Sequence, residues 1–99
     1  NQSNGGSISA TGGTLVNVTA ADNTKCVVLP LLSSVTVGTM FLIFNNVSNK
    51  TLEIFPGVGD DINPAGDNTA ITVAADTITL CIALDSAQWV GAELPVIAD

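Results

Sequence analysis

The chain contains no histidine, no tyrosine and no arginine, and its only cationic side chains are Lys25 and Lys50. Histidine is the commonest acid or base catalyst near neutral pH, and arginine is the usual ligand of carboxylate and phosphate groups. Without them the chain lacks the side chains on which most proton transfer, phosphate binding and anion capture depend. We therefore expect a protein that is not an enzyme and that has no cofactor and no bound metal.

Charge of either sign is scarce as well. Only 11% of the residues are charged while 46% are hydrophobic, whereas a soluble domain typically has about a quarter of its residues charged. Two lysines cannot neutralise a nucleic-acid backbone, and a net charge of −7 disfavours an anionic membrane surface. The longest aliphatic or aromatic run, residues 40–44, is far shorter than the roughly 20 residues that span a bilayer.

So weakly charged an exterior predicts that other protein covers part of it. A domain of 99 residues buries only about 60–65% of the surface that its unfolded chain exposes. The remaining surface has few charges to keep it soluble. We therefore expect a homo-oligomer or a component of a larger protein assembly, with no nucleic-acid partner and no membrane partner.

The length fits one domain preceded by an arm. Residues 1–13 are rich in Gly, Ser and Asn and contain one apolar residue, Ile8. We predict an extended N-terminal arm over residues 1–13 and a single β domain over residues 14–99. In isolation such an arm is flexible, so we expect a neighbouring chain to order it.

Period-two alternation of apolar and polar residues runs through the rest of the chain. It predicts strands at residues 14–19, 25–29, 40–44, 51–55, 70–74, 77–84 and 88–90. The segments between them are rich in Asn, Asp, Gly and Pro, which are turn residues. We predict hairpins that join 40–44 to 51–55 and 70–74 to 77–84. The fold class is therefore all-β, a small antiparallel sandwich or barrel-like domain.

The strand at residues 40–44 is apolar on both faces, so we expect it to be covered on two sides. We predict that Phe41, Ile43 and Phe55 lie on the less covered face and form a subunit interface with Trp89. In the strand at 77–84 one stripe is large and apolar, and the other is small. The small stripe permits close approach of another layer.

An acidic loop at residues 60–68 is the one candidate ligand site. Its oxygen-bearing side chains are those of Asp60, Asp61, Asn63 and Asp67. Such oxygens suit calcium, but the loop lacks the spacing and the distal Glu of the helix-loop-helix calcium site. Asp, Asn, Pro and Gly are also the ordinary residues of turns. We therefore favour a solvated turn over a metal site.

The two cysteines, Cys26 and Cys81, lie in apolar segments. Two buried thiols are the favoured interpretation, and a disulfide between them is the alternative. A catalytic thiol is disfavoured because the chain has no histidine to activate it.

The order of several short motifs carries a family resemblance over residues 27–91, about two-thirds of the chain. The motifs are Val28-Leu29-Pro30, Val37-Gly38, Asn45-Asn46, Leu52-Glu53-Ile54-Phe55-Pro56, Gly59-Asp60-Asp61-Ile62-Asn63, Asn68-Thr69-Ala70, Val73-Ala74-Ala75, Leu80-Cys81-Ile82 and Gln88-Trp89. As an ordered set they resemble a small β module of virion structural proteins of tailed bacteriophages. The Phe55-Pro56 motif departs from that module because its aromatic residue lacks the usual hydroxyl.

The resemblance implies a non-enzymatic, oligomeric and trimeric component of a capsid or a fibre. The small size, the weak charge and the arm favour a capsid decoration (cement) protein that stabilises the head. Its expected partners are further copies and the major capsid protein or another virion protein, contacted by Ser7, Ile8 and Ser9 of the arm. Its expected location is the virion, assembled in the bacterial host cytoplasm.

The alternative implied by the resemblance is a receptor- or glycan-binding domain of a tail or head fibre. Trp89 and the loop at residues 60–68 would then be exposed at the tip of a trimer. A single tryptophan beside a valine is, however, more typical of a core or interface anchor.

Overall fold

The fold is all-β, as the alternation predicts. The computed structural model describes residues 2, 5–10, 15–19, 26–63 and 66–94. The strands within these residues are β1 Gly6–Ser7, β2 Leu15–Val18, β3 Cys26–Val28, β4 Met40–Asn45, β5 Leu52–Phe55, β6 Asp61–Ile62, β7 Ile71–Val73, β8 Ile78–Ala83 and β9 Gln88–Leu94. A 3₁₀ turn, Leu32–Ser34, follows β3. Across the described ranges, no helix has the length and apolar character needed to cross a membrane.

The strands form two mixed sheets. One has four strands in the order β1-β3-β5-β7, and the other has five in the order β2-β4-β8-β9-β6. From β1 to β8 each strand lies in the opposite sheet from the one before it. Strands that are neighbours in a sheet are therefore often two apart in sequence. Three such pairs, β1–β3, β2–β4 and β3–β5, run parallel, and β5–β7 runs antiparallel. Of the seven pairings in the described residues, four are parallel, so the prediction of an antiparallel fold is wrong.

The two predicted hairpins are also wrong, because β4 and β5 lie in different sheets, as do β7 and β8. Asn45, at the end of β4, stabilises both crossings. Its side-chain Nδ2 donates to the carbonyl of Lys50 at 2.8 Å and to that of Val73 at 3.1 Å. Its main chain accepts from the N–H of Asp76 and donates to the carbonyl of Thr77. One buried side chain therefore joins the segment after β4 to the segment after β7.

The inner sides of both sheets contribute to one hydrophobic core. Its largest side chains are Trp89 and Phe41, whose ring centroids are 5.9 Å apart at an interplanar angle of 50°. The other buried members of the cluster are Leu29, Leu32, Ile43, Leu52, Ile54, Ile62, Val73, Cys81 and Ala83.

The faces of β4 are opposite to those predicted. Phe41 and Ile43 are 2% and 0% exposed, so they lie in the core and not on a less covered face. The reason is the register: Phe41 is opposite Cys81, and Trp89 is opposite Ala83. The small stripe of β8 thus faces the core and leaves room for the two large rings. The large apolar stripe of β8 faces outward.

The described residues of the predicted arm belong to the chain's own fold. Gly6 and Ser7 form β1, which pairs with β3 at the edge of the four-stranded sheet. Ile8 donates its N–H to the carbonyl of Val28 at 2.9 Å, and its side chain packs against the core. Residues 6–8 thus pair within their own chain, and the ordering of the arm by a neighbouring chain stays a prediction. The predicted boundary between residues 13 and 14 lies outside the described residues.

Candidate interaction surface

The outer side of the five-stranded sheet is apolar across its central strands. In the register of β4 and β8, Met40 is opposite Ile82, Leu42 is opposite Leu80, and Phe44 is opposite Ile78. Opposed residues of neighbouring strands project from the same side of a sheet. Because Phe41, Ile43 and Cys81 fill the inner side, these three pairs form three apolar rows on the outer side.

The strands on either side widen these rows. Leu15 of β2 is opposite Leu42, while the polar Asn17 is opposite Phe44. β9 adds an apolar residue beside each of the three outward residues of β8. We call the resulting surface the apolar face. Its members are Leu15, Met40, Leu42, Phe44, Ile78, Leu80, Ile82, Val90, Ala92 and Leu94. Leu15 and Met40 are 64% and 49% exposed, so water reaches apolar groups that a soluble domain usually covers.

None of the members of the apolar face is charged, and the acidic residues lie around and behind it. Glu53 projects from the outer side of the four-stranded sheet, where it is opposite Thr72. Asp76 and Asp85 lie in connecting segments. Asp61 is opposite Gln88 at the rim of the face. Glu93 of β9 is opposite the inward-facing Thr79, so it projects from the other side of the sheet. Among the acidic residues named here, none is a member of the apolar face.

The outer side of the four-stranded sheet differs in chemistry. It carries Glu53 and Thr72, and the chain near Gly5 covers its apolar members. A Cβ at position 5 would lie 2.7 Å from both Cys26 Sγ and Val28 Cγ2, so residue 5 lies directly against them. Phe55 is half-buried here, and its contact with another subunit stays a prediction.

The candidate ligand loop at residues 60–68 is used for the chain's own hydrogen bonds. Asp60 Oδ2 accepts from the N–H of Leu32 at 2.9 Å, where the 3₁₀ turn begins. Asn63 pairs with Gly91, donating to its carbonyl at 3.2 Å and accepting from its N–H at 3.0 Å. Asp67 is exposed. These contacts are typical of a structural turn.

A metal site is also not found elsewhere in the part of the chain that the structure covers. Within those residues, no three His, Cys, Asp or Glu side chains are grouped so that they could hold a metal ion. Asp61 Oδ1 is buried and has no hydrogen-bond partner. Asp60 and Asn63, which would have to join it as ligands, already bind main-chain groups.

Trp89 does not form a sugar-stacking or intersubunit surface. Its side chain is 0% exposed and packs against Phe41 in the core. Its indole Nε1 is buried without a hydrogen-bond partner. The prediction that Phe41, Ile43 and Trp89 contact another subunit is therefore wrong, because the fold leaves them no surface to offer. A subunit contact remains a prediction, and the apolar face is where the structure provides the surface for it.

The three arm residues predicted to contact a capsid differ in their exposure. Ser7 and Ser9 are exposed, whereas Ile8 is half-buried against the core. Gln2 Nε2 donates to the carbonyl of Pro56 at 2.8 Å. Contact of Ser7 and Ser9 with a capsid stays a prediction, and Ile8 is already engaged within its own chain.

Sequence reasoning missed Asn45 and the apolar face. Asn45 continues the alternation of Phe41 and Ile43, so its position on the inner side was predictable once the inner side was known. The sequence shows the large apolar stripe of β8, which includes Leu80 and Ile82, but it does not show that this stripe faces outward. Because β4 is apolar on both sides, its local pattern does not show which side faces the core.

Both cysteines are buried thiols, as favoured from the sequence. Burial raises the pKa of the Cys81 thiol from an ordinary value of 9.0 to about 12. A thiol held in its neutral form is a poor nucleophile and a poor metal ligand. Cys81 is thus a core residue opposite Phe41 and carries no reactive chemistry.

The Cys81 thiol makes stability depend on alkaline pH. Between pH 9 and about 12 the unfolded chain loses this proton while the folded chain keeps it. The free energy of unfolding should therefore be fully supported below pH 9 and fall above it, by up to about 1.4 kcal/mol per pH unit. Urea unfolding across this window measures the slope. Cys81→Ala should flatten it; equal slopes in the wild type and in Cys81→Ala would contradict this assignment.

No protein-family model, curated protein or solved structure matches the chain. Evidence on function comes from the apolar face, from the distribution of charge around it, and from the motif order of residues 27–91.

Proposed function

We propose that the chain is a non-enzymatic structural protein of a virion, a capsid decoration protein that stabilises the head through contacts with other copies and with the major capsid protein. The observation that carries this proposal is the uncharged apolar face on the outer side of the five-stranded sheet. A protein that functions alone has no use for such a surface, since exposed apolar patches favour association. A protein that functions by being covered requires one.

The free energy gained by covering the apolar face is sufficient for assembly. Ten positions on strands about 4.8 Å apart, in rows about 6.7 Å apart, give the apolar face roughly 320 Å² of sheet. At about 25 cal/mol per Å², covering it contributes on the order of 10 kcal/mol before the entropy of association is subtracted. On a capsid the same contact repeats at every site, so moderate individual affinities add through avidity.

The virion assignment is supported by the ordered motifs between residues 27 and 91, which resemble the phage β module. That resemblance implies a two-layered sandwich domain, a trimeric state and a location on the particle. The two sheets with one shared core are consistent with a sandwich.

Binding to particles tests the proposal. Particles assembled without this polypeptide are mixed with the purified chain, sedimented and heated. We expect the wild-type chain to co-sediment and to raise the temperature at which the particles rupture. Met40→Asp, on the apolar face, should bind at least tenfold more weakly. Val58→Asp is the matched control, because Val58 is 73% exposed in a loop away from the face and the charge change is the same.

Two results would contradict the proposal in different ways. If the wild-type chain does not bind particles, the virion role is wrong. If Met40→Asp and Val58→Asp bind equally well, the apolar face is not the contact. Labelling intact virions for electron microscopy shows independently whether the polypeptide lies on the head.

The glycan-binding alternative is not favoured by any feature of the described residues. Its proposed stacking residue, Trp89, lies inside the core. Its proposed polar loop uses Asp60 and Asn63 for main-chain hydrogen bonds. The capsid decoration role therefore remains the one proposed function.

A further inference from the structure

Cys26 is buried, but it is buried outside the hydrophobic core. Its side chain is 6% exposed, and every other buried hydrophobic residue of the described ranges, proline aside, belongs to the core cluster. In the register of β3 and β5, Val27 is opposite Ile54, and both pack in the core. Because side chains alternate between the two sides of a strand, Cys26 and Val28 project from the outer side of the four-stranded sheet.

The N-terminal segment covers Cys26 on that outer side. A Cβ at Gly5 would lie 2.7 Å from both Cys26 Sγ and Val28 Cγ2, so the backbone of residue 5 lies against these two side chains. We call residues 5–8 the N-terminal strap. The burial of Cys26 thus depends on the strap, whereas the burial of Cys81 depends on the packing of the two sheets.

Few contacts attach the N-terminal strap to the rest of the domain. Its strand, β1, consists of Gly6 and Ser7, and both are exposed. Ile8 is the only apolar side chain of the strap besides the glycines; it is half-buried against the core, and its N–H donates to the carbonyl of Val28 at 2.9 Å. A segment that buries so little apolar surface opens at a lower free energy than the core does.

Outside the strap, Gln2 attaches the N-terminal segment through hydrogen bonds alone. Its Nε2 donates to the carbonyl of Pro56 at 2.8 Å and to Oδ1 of Asn68 at 3.1 Å. Hydrogen bonds that water can replace contribute little net stability. Within the described residues, all buried members of the core cluster lie at or after Leu29, so the core keeps them when the strap lifts.

We infer that the N-terminal strap opens and closes as a unit over the outer side of the four-stranded sheet while the rest of the domain stays folded. Opening uncovers Cys26 and the edge of β3 with which β1 pairs. It also withdraws Ile8 from the core, so contact of Ile8 with another protein requires the open strap. This inference concerns the chain by itself and does not depend on the capsid role.

The two cysteines report two different kinds of opening. Cys81 is 0% exposed in the core, so a reagent reaches it only when the domain unfolds, whereas it reaches Cys26 when the strap alone opens. Iodoacetamide is the probe: the thiolate sulfur displaces iodide, and the thiol proton passes to the buffer. Peptide mass spectrometry follows each cysteine separately, and each rate is divided by the rate of the same cysteine in the unfolded chain.

Alkylation of the intact wild-type chain over a urea series below the unfolding transition tests the inference. We expect folding to slow the alkylation of Cys26 by about 10- to 1,000-fold, and that of Cys81 at least tenfold more. Urea should accelerate Cys81 steeply and Cys26 only slightly, because its effect scales with the surface that opening exposes. Protection of Cys26 that equals or exceeds that of Cys81, with the same urea dependence, would overturn the inference. So would a Cys26 that reacts as fast as in the unfolded chain.

Two glycine substitutions test whether the strap is the cover. Gly5→Ala places a methyl group 2.7 Å from Cys26 Sγ, which strains the closed strap and should accelerate the alkylation of Cys26 at least about fivefold. Gly6→Ala is the matched control, because its Cβ would meet no heavy atom nearer than 3.9 Å; it should change the rate by no more than about twofold. Equal rates in the two variants would overturn the assignment of the strap as the cover. The wild-type urea series decides the inference even if Gly5→Ala fails to fold.

The strap and the capsid role fail separately. Alkylation is measured on the purified chain alone, so a strap that never opens leaves particle binding by the apolar face intact. A chain that opens its strap but ignores particles keeps this inference and rejects the capsid role.

Discussion

Replacing Asn45 by alanine is expected to lower the free energy of unfolding by about 2–4 kcal/mol. The side chain is 0% exposed, and its Nδ2 donates to the carbonyls of Lys50 and Val73. Alanine would leave the buried carbonyl of Val73 and the part-buried carbonyl of Lys50 without their donor, and a buried unsatisfied group costs about 1–3 kcal/mol. Alanine would also remove Oδ1, which is buried without a hydrogen-bond partner. Thermal unfolding should show a decrease in Tm of about 10 °C or more.

Asn46→Ala is the matched control. Asn46 is exposed, and its main-chain N–H, which donates to the carbonyl of Val18 at 2.8 Å, survives the substitution. Its Tm should change by no more than about 3 °C. Equal losses for the two variants would mean that the buried amide of Asn45 does not hold the two crossings together.

Replacing Trp89 by alanine is expected to cost about 3–5 kcal/mol, enough to unfold a marginally stable domain. Trp89 fills the space beside the small Ala83 and packs against Phe41. Removing the indole leaves a cavity that the rigid inner sides of two sheets cannot close. Urea unfolding followed by circular dichroism measures the loss.

Trp89→Phe separates the contribution of aromatic packing from that of the buried indole N–H. Phenylalanine keeps an aromatic ring and removes a buried Nε1–H that has no hydrogen-bond partner. We expect this variant to lose only about 1–2 kcal/mol. Because the chain has one Trp and no Tyr, the wild-type fluorescence reports Trp89 alone, and acrylamide should quench it weakly. Strong quenching in the folded state would show an exposed indole and would reopen the glycan-binding alternative.

The positions of several strands could be predicted from local pattern alone. The alternation predicts strands at residues 40–44, 51–55 and 77–84, and the structure has Met40–Asn45, Leu52–Phe55 and Ile78–Ala83. Alternation succeeds here because it records which residues are buried in an extended chain, whatever the strand pairs with. The buried thiols of Cys26 and Cys81 follow from the same pattern.

Strand pairing could not be predicted in this way. A connecting segment rich in Asn, Gly and Asp has the same composition whether the next strand pairs with the preceding strand or crosses to the other sheet. The crossings are held by contacts between residues distant in sequence, such as the hydrogen bond from Asn45 Nδ2 to the carbonyl of Val73, 28 residues away. The error in the candidate interface has a similar origin, because β4 carries aromatic and aliphatic residues on both sides.

The sequence alone determines the all-β class, the lack of histidine and arginine side chains, and the small number of charged residues. These depend only on composition and on the period of two, which are local properties of a chain. The tertiary structure alone decided which sides of β4 and β8 face the core. The small residues of β8 had to lie opposite Phe41 and beside Trp89 to make room for their rings, and this placed the large apolar residues Leu42, Leu80 and Ile82 on the outside.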